Sequence, residues 1–175
     1  MRILLHTCCA PCASHCVSVL LEHGYEITLF YSNSNIASHE EYLKRLEHVK
    51  TLAKHFSVSL LVDEYQHGDW LVHAAKGFET EKEKGARCER CFRFSLERTH
   101  AAMLKNSFDG FTTSLSVSPH KHTPTIFLIG RALDPQRFLA INFKKDDGFK
   151  HSLQLSQSLG LYRQNYCGCE FSVHL

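Results

Sequence analysis

The chain has 175 residues, eight of them cysteines, and a formal net charge of +2 at neutral pH. A chain of this length can bury a sufficient core without cross-links, so we expect one domain over residues 1–175 and no structural need for disulfides. No stretch approaches the roughly 18 apolar residues of a membrane span, and the first apolar run is too short for a signal peptide, so we expect a cytoplasmic protein with no membrane partner.

Apolar runs of strand length alternate with longer segments of helical period along the chain. Strands are predicted at 2–7, 26–31, 59–64, 110–115 and 137–143. Helices are predicted at 12–23, 39–56 and 88–106, with shorter ones at 69–76, 124–133 and 149–160. Because the connections between strands are long enough for helices, this order predicts an α/β fold with a parallel sheet and helices on both of its faces.

The first cysteine motif, HTCCAPCASHC, spans residues 6–16 and begins where the first predicted strand ends. Cys8, Cys9 and Cys12 therefore belong to the first strand-to-helix loop, at the edge of the sheet where open α/β folds bind ligands. Phosphate-binding loops at this position are rich in glycine, whereas this loop offers thiols, and we expect the start of the following helix to lower their pKa. Cys16 shares a helical face with Cys12 and is expected to be a small buried core residue.

Two further cysteine motifs lie far from the first in the sequence. Cys88 and Cys91 form a CxxC near the start of a predicted helix, and the three-residue step places both on one side of that helix. Near the end of the chain, Gly168 allows Cys167 and Cys169 to approach a common centre or each other. In a reducing compartment such groups are more often metal ligands or catalytic thiols than cross-links, so the three motifs indicate at least one metal centre.

The number of thiols favours redox chemistry over a structural zinc site. Zinc takes four ligands and is usually held by CxxC pairs that lie close together in the sequence, so a zinc site would leave thiols unused here. A four-iron cluster also takes four thiolates, and the remaining pair suits two-electron thiol–disulfide chemistry. A redox enzyme therefore accounts for more of the cysteines.

Longer stretches of the sequence contain these cysteines or lie between them, namely HTCCAPC, YSNSNI, EEYLKRLEHVKTLA, GARCERCFRFSLERT, FTTSLSVSPHK and LGLYRQNYCGCEFS. Together they cover nearly the whole chain and resemble the epoxyqueuosine reductases of the QueH type. The resemblance implies a Rossmann-like domain, akin to the PP-loop and adenine nucleotide hydrolase-like (HUP) folds, that carries a [4Fe–4S] cluster. It also implies an oxidoreductase that reduces epoxyqueuosine to queuosine in the anticodon of tRNA, the last step of queuosine biosynthesis, with electrons from an unidentified donor.

The same resemblance implies roles for individual cysteines. The implied cluster ligands are Cys8, Cys9, Cys88 and Cys91. The implied redox-active pair is Cys167 and Cys169. A further mononuclear iron is implied beside the cluster, with ligands drawn from Cys12, Cys167, Cys169 and an aspartate. Cys16 lies outside the pattern of the family, in agreement with a buried structural role.

Two functions from other classes stay open as alternatives. One is a zinc-stabilised RNA-binding module without catalysis, which would use at most four thiols and be colourless. The other is a PP-loop-like tRNA thiolation enzyme that binds ATP. This second alternative is weakened because the Ser-Gly-Gly phosphate loop of that group is absent after the first predicted strand.

Polar residues that follow the predicted strands are candidates for contact with the nucleoside. Asn33 and Asn35 follow the second strand and could hydrogen-bond the nucleoside. Ser118 and His120, next to Lys121, follow the fourth strand and could contact ribose or phosphate. For both groups, a role in capping or in an ordinary polar loop is equally open.

The small net charge requires tRNA binding to depend on a local patch. Lys144 and Lys145 lie between Phe143 and Phe149, a basic and aromatic stretch suited to phosphates and stacked bases. Arg163, shortly before the last cysteines, is a further candidate for contact with the tRNA backbone or base. A merely solvated surface is the alternative in each case.

Overall fold

The computed structural model describes residues 1–172. In this part of the chain the strands are β1 (Arg2–His6), β2 (Glu26–Tyr31), β3 (Ser59–Val62) and β4 (Gly110–Thr113). The helices are α1 (Ala10–Glu22), α2 (His39–Phe56), α3 (His67–Trp70), α4 (Ala86–Lys105), α5 (Thr123–Leu133) and α6 (Gly148–Ser158). A π-helical turn at Leu71–Ala75 continues α3.

The strands form one parallel sheet in the order β3-β2-β1-β4. In the central strand β1, Ile3, Leu4 and Leu5 are all fully buried, which is typical of a strand covered on both faces. Leu5 pairs with Leu29 of β2 and with Thr112 of β4, so these three strands end side by side. The loops that follow them therefore meet at one edge of the sheet.

Helices cover both faces of the sheet, as the sequence predicts for a Rossmann-like α/β fold. On one face, α1 and α2 pack against the strands in a core that includes Val17, Leu20 and Val49. On the other face, α4 and α5 pack in a core that includes Leu96 and Ile126. The remaining long helix, α6, lies against α1. The predicted fold class is confirmed.

The predicted strand at 137–143 is wrong. Only Phe138 pairs with the sheet, through a single parallel bridge to Phe111. The amide of Ile141 then donates to the carbonyl oxygen of Leu139 at 2.9 Å, a tight turn that carries the chain away from β4. The strand-like composition of this segment instead supplies apolar side chains to the cores on both sides.

Helix boundaries lie close to the predicted ones. Helix α1 begins at Ala10 rather than at residue 12, because Cys9 caps it and Pro11 occupies its first turn. Helix α6 ends just before Gly160, whose φ of +60° is the left-handed conformation that stops a helix. Among the described residues, no helix combines the length and the apolar character that crossing a membrane requires.

Candidate metal and substrate site

Six of the eight cysteines line one cavity of about 530 Å³ at the edge of the sheet where β1, β2 and β4 end. The six are Cys8, Cys9, Cys12, Cys88, Cys91 and Cys167. The first three come from the loop after β1 and the start of α1, the next two from the first turns of α4, and the last from the segment after α6. The fold therefore brings the three cysteine motifs to a single place, the edge where parallel α/β sheets bind ligands.

The loop after β1 holds three thiols close together. The sulfur atoms of Cys8, Cys9 and Cys12 all lie within 4.8 Å of one another, and those of Cys8 and Cys9 are 4.0 Å apart. Because Cys9 is the N-cap of α1, its sulfur accepts the backbone N–H of Cys12 at 3.4 Å. The cap geometry thus fixes the directions of these side chains.

The pKa values of these three thiols move in opposite directions. Hydrogen bonds from Cys12 and Cys8 hold the pKa of Cys9 well below its usual value. The pKa of Cys12 is raised because its thiol donates to Cys8 and to Cys9. The hydrogen bond that Cys8 receives from Cys12 lowers the pKa of Cys8. The hydrogen bond that Cys8 donates to Cys9, together with burial, outweighs this effect, so the pKa of Cys8 is raised. The expected direction, a lowered pKa, therefore holds for Cys9, where the neighbouring thiols and not the helix start are the main cause, and it is wrong for Cys8 and Cys12.

Hydrogen-bond donors also point at other sulfur atoms of the cavity. They are the hydroxyl of Ser114 to Cys8 at 3.4 Å, the backbone N–H of Lys84 to Cys88 at 3.3 Å, and the indole N–H of Trp70 to Cys91 at 3.3 Å. Burial, with the charge of Cys167, raises the pKa of Cys91 to about 12, so this thiol stays neutral unless a metal ion displaces its proton. Donors of this kind orient and stabilise metal-bound thiolates.

Cys167 and Cys169 face different surroundings. Cys167 lines the cavity, and its sulfur accepts a hydrogen bond from Nζ of Lys121 at 3.5 Å. Cys169 is 8% exposed and packs in an apolar cluster with Trp70 and Ala74. All eight cysteines lie within the described residues and are free thiols. The fold thus brings one member of the predicted redox pair to the cavity wall and buries the other behind it.

Arg45 of α2 holds the turn that carries the last two cysteines. Its side chain is 3% exposed and pairs with Glu41 at 2.7 Å. From there it donates to the carbonyl oxygens of Cys167 at 2.9 Å and of Tyr166 at 3.5 Å. Gly168 has a φ of +122°, and a Cβ there would lie 3.2 Å from Nη1 of Arg45, so the turn requires glycine.

Lys121 places an ammonium group among the thiols. Its Nζ also lies 5.3 Å from the ring centre of Phe92, so the ring helps to orient it. Burial alone would lower the pKa of Lys121, but its charge interactions with the thiols of the cavity, with that of Cys167 first, outweigh burial and raise the pKa. Lys121 therefore stays positively charged and lies beside any negative charge that develops in the cavity.

All four candidate nucleoside contacts that follow the predicted strands line the cavity, namely Asn33, Asn35, Ser118 and His120. Asn33 is 4% exposed, and its side-chain amide donates to the carbonyl oxygen of Thr7 at 2.9 Å, so it braces the loop after β1. The hydroxyl of Ser118 accepts the backbone N–H of His120 at 3.3 Å. Asn35 and His120 are the more exposed side chains of the four and are better placed for a substrate.

The predicted basic and aromatic stretch is divided by the fold. Phe143 is 2% exposed in the core and cannot stack on a base. Nζ of Lys144 donates to the carbonyl oxygens of Ser118 and Lys121 at 3.3 and 3.0 Å, so it stabilises that loop. Lys145 is exposed but lines a second cavity, between α1 and α6. These residues therefore do not form one surface.

Arg163 and Phe149, in contrast, come together at the cysteine cavity. Both line it, and the guanidinium carbon of Arg163 lies 5.2 Å from the ring centre of Phe149. Arg163 is exposed, whereas Phe149 is half-buried at the start of α6. A basic and aromatic pair is thus present at the site. In the sequence, however, Phe149 belongs to the stretch around Lys144, whereas Arg163 precedes the last cysteines.

Two expected features lie elsewhere. Cys16 is fully buried in the core, where its thiol donates to the carbonyl oxygen of Cys12 at 3.3 Å and burial raises its pKa. The acidic residues among the described residues of the cavity wall are Glu83 and Glu89, not an aspartate. An aspartate ligand for a further iron is therefore not brought to this site.

Three residues of the site do not stand out from the sequence motifs. Arg45 carries a signal, because it lies on the buried face of α2 with Tyr42 and Val49, where a charged side chain needs a partner. Gln164 lines the cavity and has a buried Oε1 without a hydrogen-bond partner among residues 1–172. Trp70 carries no sequence signal that connects it with a distant cysteine.

The donor set fits an iron–sulfur cluster. Such clusters are held by four cysteine thiolates and tuned by hydrogen bonds to sulfur, and the cavity wall supplies six thiols, several with N–H or O–H donors. A single structural zinc ion would leave at least two of the six unused. The thiols and hydrogen-bond donors of the cavity wall thus suit an iron–sulfur cluster better than a single zinc ion.

Comparison with known proteins agrees with this chemistry. The family model described as epoxyqueuosine reductase QueH matches residues 3–174. A protein named epoxyqueuosine reductase QueH in Thermotoga maritima is 37% identical, over 98% of this chain and 90% of its own length. A protein of the same name in Streptococcus pyogenes serotype M1 is 33% identical, over 99% of this chain and 71% of its own length.

A solved structure shares the fold at low identity. The U34-tRNA thiolase NcsA from Methanococcus maripaludis with its [4Fe-4S] cluster has a TM-score of 0.62 at 10% identity, over 99% of this chain and 62% of its own length. At this identity the likeness shows the fold alone. The match of the family model across the chain, with relatives above 30% identity over nearly its full length, shows that this chain belongs to the QueH family of epoxyqueuosine reductases.

Proposed function

We propose that this protein is an iron–sulfur oxidoreductase that reduces epoxyqueuosine to queuosine in the anticodon of tRNA. The observation that carries the proposal is the convergence of six thiols from three distant motifs on one cavity, in a chain of the QueH family. A zinc-held RNA-binding module accounts for four thiols at most. Thiolates that hold a metal cluster persist in a reducing compartment, so we place the proposed reaction in the cytoplasm.

The reaction sets the requirements for the site. Both C–O bonds of the epoxide break, a C=C bond forms between the two ring carbons, and the oxygen leaves as water, with consumption of two electrons and two protons. Negative charge develops on the oxygen while the first C–O bond breaks, so the site needs a cation or an acid beside it. Lys121 meets this requirement, because its ammonium group lies in the cavity wall among the thiols.

The cysteines divide between two proposed roles. A [4Fe–4S] cluster is assigned to Cys8, Cys9, Cys88 and Cys91. When bound, it supplies electrons one at a time from an external one-electron carrier, whose identity is open. A further mononuclear iron is assigned to the remaining lining thiols, Cys12 and Cys167. Cys167 would also pair with Cys169 in two-electron thiol chemistry, which requires Cys169 to turn out of its apolar surroundings about the glycine between them.

Recognition of tRNA is assigned to the exposed side of the cavity. Arg163 would contact a phosphate, and Phe149 would offer a ring on which a splayed-out anticodon base can stack. Asn35 and His120 are the proposed contacts with the modified base. Lys144 contributes indirectly, because it holds the loop from which His120 projects.

Anaerobic conversion of the substrate tests the proposal. Purified protein is incubated with a low-potential chemical reductant and tRNA that contains epoxyqueuosine, and the nucleosides are then identified by mass spectrometry. Queuosine is expected from the wild type and from Cys16→Ala, a control that removes a cysteine outside the cavity. Cys167→Ala is expected to retain the cluster absorbance and form no queuosine. Unchanged epoxyqueuosine with a loaded wild-type protein would contradict the proposed reaction.

A further inference from the structure

Trp70 lies behind the cysteine cavity and touches one of its sulfur atoms. Its indole Nε1–H donates to Sγ of Cys91 at 3.3 Å. Trp70 is only 1% exposed and is not among the residues that line the cavity. It therefore reaches the site through the cysteine and not through a substrate.

The indole ring is fixed in the orientation that makes this bond. The ring of His67 stacks on it at 5.6 Å between centres and 16° between planes, and Phe171 packs against it at 6.4 Å. His67 is itself held by the carbonyl oxygen of Ser34 at 2.8 Å and the carboxylate of Glu170 at 3.2 Å. A donor anchored in this way needs little rearrangement when charge on the sulfur changes.

We propose that Trp70 sets the reduction potential of the metal group by donating its indole N–H to Cys91. A reduced cluster carries one more negative charge than an oxidised one, and a hydrogen bond to its thiolate stabilises the more negative state more strongly. The bond therefore raises the reduction potential. This inference rests on the proposed function, since it takes Cys91 as a cluster ligand, and it makes Trp70 a positioning residue that acts through that ligand.

Potentiometric titration of the anaerobic protein tests the inference. Trp70→Phe retains an aromatic ring in the stack but removes the donor, so the midpoint potential is expected to become more negative. The expected change in the reduction equilibrium is about tenfold, which is ~59 mV for a one-electron couple. Phe94→Leu is the matched control, because Phe94 packs on the same apolar cluster without a donor to sulfur, and its midpoint is expected to stay at the wild-type value.

A second measurement needs no substitution and applies even if Trp70→Phe fails to fold. Trp70 is the single tryptophan of the chain, so ¹⁵N-labelled tryptophan marks one indole nitrogen. Pulsed electron paramagnetic resonance of the reduced wild type is expected to show coupling between that nitrogen and the cluster. If the cluster is present but shows no such coupling, or if folded Trp70→Phe has the midpoint potential of the wild type, this inference alone is overturned. Wild-type protein without iron and sulfide would overturn the proposed function with it.

Discussion

The guanidinium group of Arg45 donates to the carbonyl oxygen of Cys167 at 2.9 Å, across 122 positions of the sequence. This bond ties the turn with the last two cysteines to the buried face of α2. The same side chain pairs with Glu41, whose carboxylate also accepts the hydroxyl of Tyr162 at 3.2 Å. The position of Cys167 at the cavity therefore depends on hydrogen bonds with residues that lie outside the cysteine motifs.

Replacement of Arg45 by lysine tests this dependence. Lysine keeps the positive charge, but it lacks the planar guanidinium group with which Arg45 bonds Glu41 and both carbonyl oxygens at the same time. Arg45→Lys is expected to lower the free energy of unfolding by about 1–3 kcal/mol. It is also expected to lower kcat for the reduction of epoxyqueuosine by about 100-fold, because a small displacement of a reacting group is costly. Denaturant unfolding and turnover under saturating tRNA measure the two effects.

Arg93→Lys is the control for Arg45→Lys. Arg93 pairs with Glu97 on the surface of α4, where both side chains are about half exposed. Its replacement is expected to change the free energy of unfolding by less than about 0.5 kcal/mol and to leave kcat unchanged. Equal behaviour of the two variants would contradict a special role for Arg45.

The division of the cysteines between cluster and redox pair predicts different spectra for different variants. Cys88→Ser removes a proposed cluster ligand, so the anaerobic protein is expected to lose its brown colour. Cys169→Ala removes a thiol that is buried behind the cavity, so the absorbance is expected to persist while turnover is lost. Visible absorption and iron content measure both. Loss of the cluster in Cys169→Ala would reverse the assignment.

Contact between Arg163 and tRNA predicts a salt-dependent effect. Arg163→Ala is expected to raise KM for tRNA and to lower the slope of log affinity against log salt by about one counterion, because one phosphate contact is lost. The value of kcat is expected to change little, since the contact is equal in ground and transition states. Lys145→Ala, which alters the second cavity, is the control. An effect confined to Lys145→Ala would place the tRNA on the other side of the molecule.

The packing of α1 on α6 predicts a pH dependence of stability. Burial, and secondarily the charge of nearby His151, lower the pKa of His15 from its usual value of 6.5. As the pH falls through about 6.5, the unfolded chain takes up a proton that folded His15 resists, so stability falls from near pH 7 into the range below 6.5. His15→Gln is expected to show a smaller decline in the denaturant midpoint over this range. A decline as steep as in the wild type would show that other groups cause it.

The fold could be predicted from sequence where one pattern determines one structure. The apolar run of β1 reflects burial on both faces, and the stripe on α2 reflects its one buried face. The segment at 137–143 has a strand-like composition, but its conformation depends on distant partners such as Ser116, whose hydroxyl donates to the carbonyl oxygen of Ile141 at 2.8 Å. Composition alone does not specify such partners.

The site, like the fold, could be predicted only where the sequence pattern alone determines the structure. Thiols are rare and their spacing is informative, so the motifs around Cys8, Cys88 and Cys167 are sufficient to indicate a metal site. Lys144 is predicted from its neighbours in the sequence to bind phosphate, whereas its Nζ is occupied by two carbonyl oxygens of a nearby loop. Such contacts depend on tertiary structure, which also explains why the sequence does not connect Trp70 with Cys91.

The central claim is that the thiols of one cavity hold an iron–sulfur cluster. The most direct test is the content of iron and acid-labile sulfide per chain in protein purified without oxygen, together with its visible spectrum. We expect at least about four irons and four sulfides per chain and a broad brown absorbance that oxygen bleaches. A colourless protein with stoichiometric zinc and no sulfide would contradict the account.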